Sequence, residues 1–165
     1  MPHAAARIAV AIALGLVLAG CGDAPEPLTT NGARVGDVLL RDAQIAYDGP
    51  VRGGTVYRAG QDAPLRLTII NEGDDPDRLV SVSSPVAGSG VIIGDAALPG
   101  GHTLTAGMDE PVASITPPGS SAVRIVLRDL KADVGAGSRH PVEFTFERAG
   151  RLSVELSVQY RPPAR

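Results

Sequence analysis

From Ala122 to Tyr160, apolar side chains recur at every second position, and this period of two constrains the fold more than any other feature of the chain. Val123, Ile125 and Leu127 form one run, Val142, Phe144 and Phe146 a second, and Leu152, Val154, Leu156 and Val158 a third. Arg124, Arg128, Glu143, Glu147, Arg151 and Glu155 stand in the intervening places. Successive side chains on a strand point to opposite faces, so each run has one face for a core and one for water, the pattern of antiparallel strands. Ala149-Gly150 is short enough to close the last two runs as a hairpin.

Shorter runs of the same kind precede this stretch. Val35 to Tyr47 reads as a strand region blurred at Gly36-Asp37, and Thr55 to Arg58 as a short edge strand after the breakers Asp48-Gly49-Pro50 and Gly53-Gly54. Leu65, Leu67 and Ile69 alternate with Arg66 and Thr68 up to an Asn71-Glu72-Gly73 turn. Leu79 to Ser83 and Gly88 to Gly94 follow, and then a long Gly- and Pro-rich passage to Gly119. Strands at about ten-residue intervals, with no helical period, predict an all-β sandwich or barrel. With no Trp, two Phe and three Tyr, its core must be built mainly from Val, Leu and Ile.

The N-terminal residues have a different character. Arg7 is followed by an unbroken apolar run from Ile8 to Ala19, too short for a membrane span, and then by Gly20-Cys21. Leu18-Ala19-Gly20-Cys21 fits the bacterial lipobox, in which the cysteine thiol is joined to diacylglycerol and the cysteine becomes the new N-terminus after cleavage. The expected organisation is a signal peptide over 1–20, a lipid-anchored linker over 21–32, a β-sandwich domain over 33–160 and a short tail over 161–165. The expected location is the extracytoplasmic face of the cell membrane, with the membrane itself as a partner through lipidated Cys21. Acylation would consume the only cysteine, leaving no disulfide and no thiolate ligand. Removing Arg7 with the signal leaves 14 basic against 18 acidic residues, a formal charge of −4. A mildly acidic chain without a basic stripe or an aromatic platform excludes nucleic acid as a partner.

Motifs for catalysis are absent. There is no G-x-S-x-G, no phosphate-cradling glycine loop and no H-E-x-x-H, so the expectation is a non-enzymatic protein with no catalytic residues. A Ser-His-Asp triad through His102 or His140 has no supporting motif. Glu72, Asp74, Asp75 and Asp77 could hold a hard cation, but they lack the spacing of a calcium loop and read as a solvated turn.

Two segments carry a resemblance to a known family. Asp129-Leu130-Lys131, a short Gly-containing loop, and then Pro141 to Gly150 (PVEFTFERAG) look like the end of the PCuAC-type periplasmic copper chaperones. Asn71 to Pro85 (NEGDDPDRLVSVSSP) looks like that family's turn and following strand. The resemblance implies a cupredoxin-like, antiparallel Greek-key β-sandwich holding Cu(I) through His and Met, including a His-x-Met pair on one strand. Soft thioether together with imidazole selects that ion. Aligned on Leu130-Lys131, Arg124 and Val126 stand where this His and Met should be, and the upstream His falls near Gly94, so the ligand positions are degenerate. His102, Met108 and His140 are the remaining candidate ligands in the mature chain. The chain is also similar to the actinobacterial LpqE-type lipoproteins, a likeness that implies association with the respiratory bcc-aa3 oxidase supercomplex. Two readings follow: an accessory protein that docks onto an envelope partner, or a Cu(I) chaperone with non-standard ligands that feeds the oxidase.

Overall fold

The computed structural model describes residues 32–49, 54–107 and 119–160. The expected signal peptide, Cys21, most of the linker, Met108 and the tail lie outside the described residues. Those described form strands and turns only: β1 (Gly32–Val35), β2 (Val38–Tyr47), β3 (Thr55–Tyr57), β4 (Ala63–Asn71), β5 (Asp77–Ser83), β6 (Ala87–Ile93), β7 (Ala97–Leu98), β8 (Thr103–Ala106), β9 (Ser120–Leu130), β10 (Val134–Gly135), β11 (Arg139–Phe146) and β12 (Gly150–Tyr160). The chain is all-β, as the alternation predicts. The blurred region resolves into β1 and β2, hinged at a Gly36-Asp37 turn. The Gly- and Pro-rich passage contains two short strands, β7 and β8, which its composition concealed.

Ten strands form one sheet in the order β6-β9-β8-β4-β2-β12-β11-β5-β7, with β1 beside β2, while β3 and β10 pair separately. Most neighbours are antiparallel, as expected, but β12 runs parallel to β2 and β8 parallel to β9. Strand β2 pairs with β4 on one side, breaking register between Arg41 and Gln44, where Asp42 takes φ 51°, and with two strands in turn on the other. Its first half pairs with β1 and its second half with β12. A bulge of this kind bends a strand and increases its twist.

The sheet curls until β6, at one end, meets β5 near the other. The contact is backbone to backbone: a Cβ on Gly90 of β6 would lie 2.0 Å from the carbonyl oxygen of Val82 in β5. Enclosed by the curl is one core, in which Ile69, Leu98, Leu104, Ile125, Leu127 and Phe144 have no exposed surface. All three runs of the C-terminal stretch contribute to it. The last two close as a hairpin, with Phe146 opposite Gly150 and the turn at residues 147–149.

Gly90→Ala should therefore destabilise the domain by about 3 kcal/mol, the upper part of the usual range for overpacking. Ser89→Ala, on the exposed face of the same strand, should leave the urea midpoint unchanged. Equilibrium urea unfolding measures both.

Candidate functional site

Strand β9 presents two faces. Val123, Ile125 and Leu127 point into the core, so Arg124, Val126 and Arg128 point outward. Across β6, Ile93 stands opposite Arg124, Val91 opposite Val126 and Ser89 opposite Arg128. On the other side Pro64 of β4 stands opposite Val126, which is only 9% exposed despite facing away from the core. The positions expected to be degenerate thus converge on one outer patch, with one refinement. Arg124 faces Ile93 rather than Gly94, and Gly94 has φ 110°, a conformation unfavourable to a side chain. Ile93, 46% exposed, was not singled out from the sequence. Its signal was the unbroken Val91-Ile92-Ile93 triplet, which must turn apolar side chains to both faces.

His102 precedes β8. Its Nδ1 lies 2.9 Å from the carbonyl oxygen of Gly100. A carbonyl only accepts, so Nδ1–H donates, and the neutral ring keeps its lone pair on Nε2. Gly119 packs beside that ring, where a Cβ would come within 3.0 Å of Nε2. His140 belongs to β11, with Nε2 2.8 Å from the Ser138 hydroxyl. That hydroxyl gives its one proton to the Gly135 carbonyl at 2.7 Å, so Nε2–H of His140 donates to it.

The two histidines lie at opposite ends of the sandwich. The His102 carbonyl accepts from the Asn71 backbone N–H, the Asn71 amide donates to the Asp75 carbonyl, and the Asp75 carboxylate pairs with Arg148. Arg148 follows the C-terminal end of β11, whereas His140 is that strand's second residue, about 20 Å away at the usual rise per residue. Strand β8 likewise leads away from His102 before the chain reaches Gly107 and, beyond the described residues, Met108.

The acidic turn is consumed by structure. Asn71, 2% exposed, donates to the Asp75 and Leu98 carbonyls and accepts from the Gly73 N–H. Glu72 pairs with Arg34. Asp77 is partly buried, which works against its ionisation, but backbone N–H groups of Arg148, Ala149 and Arg78, with the Arg148 charge, hold its carboxyl below the usual aspartate range. Among the described residues no three His, Cys, Asp or Glu side chains gather as a metal site. Tyr57 donates to the Ala46 carbonyl and meets Tyr47 edge-on at 5.1 Å. Burial, with smaller contributions from Asp48 and Tyr47, pushes its hydroxyl pKa up to about 12. It is a packing group and not an acid or base for neutral pH.

This curled sheet is the fold of the copper-chaperone PCuAC domains. The apo PCuAC domain from PmoF1 has a TM-score of 0.59 at 24% identity, over 79% of this chain and 100% of that one. The copper-bound PCuAC domain from PmoF2 has a TM-score of 0.57 at 23% identity, over 80% of this chain and 100% of that one. More narrowly, the model of the LpqE-like lipoprotein family matches residues 38–158, and the chain belongs to that family. Among curated proteins none matches it.

The residues present do not fit copper at the outer patch of β6 and β9. Arg124, Val126, Ile93 and Gly94 supply no imidazole or thioether, and guanidinium has no lone pair to give a metal. His102 has the geometry of a ligating imidazole, with one nitrogen anchored to a carbonyl, but His140 is too distant to join it.

Asp77 gives the turn a pH dependence. Its folded pKa lies below the unfolded value, so its stabilisation is present above about pH 4 and is lost as pH falls through the folded value. Melting curves from pH 7 to pH 2 should show Asp77→Asn with a shallower acid loss than the wild type. A parallel loss in the two proteins would contradict this role.

Proposed function

We propose that this protein is a non-enzymatic accessory lipoprotein, anchored through Cys21 on the extracytoplasmic face of the cell membrane, that docks onto a partner in the envelope. The observation that carries the proposal is the outer face of β9, which presents Arg124 and Val126 beside Ile93 and Val91 and offers no imidazole or thioether. The PCuAC fold is kept, and the resemblance places Arg124 and Val126, both on the outer face of β9, where that family has its His and Met. An apolar patch beside an uncompensated guanidinium is suited to binding protein, not a cation. The partner is the respiratory bcc-aa3 oxidase supercomplex, a reading supported by the likeness to LpqE-type lipoproteins and by membership of the LpqE-like family.

A second reading is favoured by one observation. His102 presents Nε2 with its ring fixed by the Gly100 carbonyl, so a Cu(I) chaperone would use His102 as its anchor, with Met108 and His140 as the other non-standard ligands. His140 would then have to act from another copy or from a handover complex.

The affinity-tagged, full-length chain, isolated from gently solubilised native membranes, should bring oxidase subunits with it. Cys21→Ser should lower the yield at least five-fold by releasing the protein from the membrane. Recovery of the lipidated protein without any oxidase subunit would contradict the partner assignment.

A further inference from the structure

Curling of the sheet lays β5 against β6 as a seam. The Leu79 N–H donates to the Ala96 carbonyl at 3.1 Å just past the end of β6, and the Val82 carbonyl closes on Gly90 within it. Val80 stands between Leu79 and Val82, and Ile93 between Gly90 and Ala96, so the two residues meet across the seam. Leu79 and Val82 take the inward positions of β5, which leaves Val80 facing out, as Ile93 does on β6. These two are the large apolar side chains exposed among the described residues, at 48% and 46%. Val91, half-buried, continues the patch toward Val126 of β9.

The charges beside this patch are open. At the end of the molecule that carries the acidic turn, Arg34 is hydrogen-bonded to Glu72, Arg78 to Asp95 at 3.1 Å and Arg148 to Asp75 at 2.8 Å. Arg124, opposite Ile93, is exposed and has no acidic partner among the described residues. Arg128, opposite Ser89, approaches Asp62 only to 3.7 Å, and the other oxygen of Asp62 already accepts from the Asp129 N–H. An apolar centre with unpaired arginine on its flank has the anatomy of a protein interface, where arginine is enriched and exposed apolar groups cluster.

We propose that the seam between β5 and β6, with Val80 and Ile93 as its apolar centre and Arg124 as its charged flank, receives a partner protein that presents an apolar side chain beside a carboxylate. The carboxylate follows from charge complementarity with Arg124 and Arg128. A bilayer is the poorer match, because membrane docking buries a continuous apolar face about 5–10 Å deep, and this patch offers two β-branched side chains on a sheet face among Ser81, Ser83 and Ser89. A second copy also fits less well. Asp95, the carboxylate that follows Ile93 in the chain, is already engaged by Arg78 and by the Ala97 N–H.

The proposal rests on the docking reading and adds to it the β5 side of the surface and the chemistry of the partner. A photoreactive benzoylphenylalanine is placed at Ser81 on β5, at Ser89 on β6, or at Arg41 on the outer face of β2, across the sheet from the seam. The full-length lipidated chain is irradiated in native membranes, and adducts are mapped by mass spectrometry. The Ser81 and Ser89 probes should label the same envelope protein, and the Arg41 probe should not. Val80→Glu, Ile93→Glu and Arg124→Glu should each lower both adducts at least about five-fold, the loss expected at the centre of an interface. Val80→Ile and Arg124→Lys should retain most of the labelling. Replacing the partner's Asp or Glu nearest the adduct by Arg should restore labelling in Arg124→Glu. All three substituted sites are exposed, so melting temperatures should stay within about 3 °C of the wild type. Where a glutamate variant does not fold, Val80→Thr, Ile93→Thr or Arg124→Gln replaces it, with a loss of at least about two-fold expected. Adducts to lipid or to a second copy only, labelling from Arg41 alone, or yields unaffected by the variants would overturn the seam as the docking surface and leave docking itself intact. No protein adduct from any probe, with no oxidase subunit co-purified, would overturn both.

Discussion

Strand β9 is the constraint on which the rest of the molecule depends. It pairs antiparallel with β6, parallel with β8 and, beyond the end of that short strand, antiparallel with β4. Its inner side chains Ile125 and Leu127 are fully buried at the centre of the core. A strand shared by three partners cannot move without opening the sheet, so its outer face has a fixed backbone whatever side chains it bears. That separation lets one scaffold change its cargo. The inner face specifies the fold, and the outer face can exchange ligands for other groups at little cost to stability.

The arginine on that outer face has an electrostatic consequence. A neutral residue in place of a ligand would leave a weakened metal site, but an arginine puts a permanent positive charge beside the place a cation would occupy. It also attracts carboxylates. With Val91 and Ile93 beside it, the outer patch offers an apolar and a cationic surface together.

Much of this was legible in the chain itself. The period of two placed Phe144, Leu152 and Ile125 in the core because burial on one face of a strand leaves little alternative. The outward placement of Arg124 and Val126 followed from the same alternation, whereas their reading as replaced ligands rests on the resemblance aligned at Leu130-Lys131. The strands β7 and β8 were hidden because two to four residues among glycines and prolines carry no measurable period. The parallel placement of β12 beside β2 was hidden because alternation says which face is buried and nothing about direction. The separation of His102 from His140 depends on which end of the sandwich each strand starts from, and that is set by topology. The role of Asn71 was obscured for a similar reason: its bonds to Asp75 and Leu98 join segments that composition treats as unrelated loop.

The central claim is that side chains, and not the backbone, separate this protein from the copper carriers of its fold. Cu(I) titration against a competing chelator tests it most directly, with the wild-type domain compared with an Ile93→His, Arg124→His, Val126→Met triple variant. The wild type should take up no copper at nanomolar affinity, and the triple variant should gain at least a hundred-fold in affinity. Stoichiometric nanomolar binding by the wild type that survives His102→Ala and His140→Ala would contradict the account.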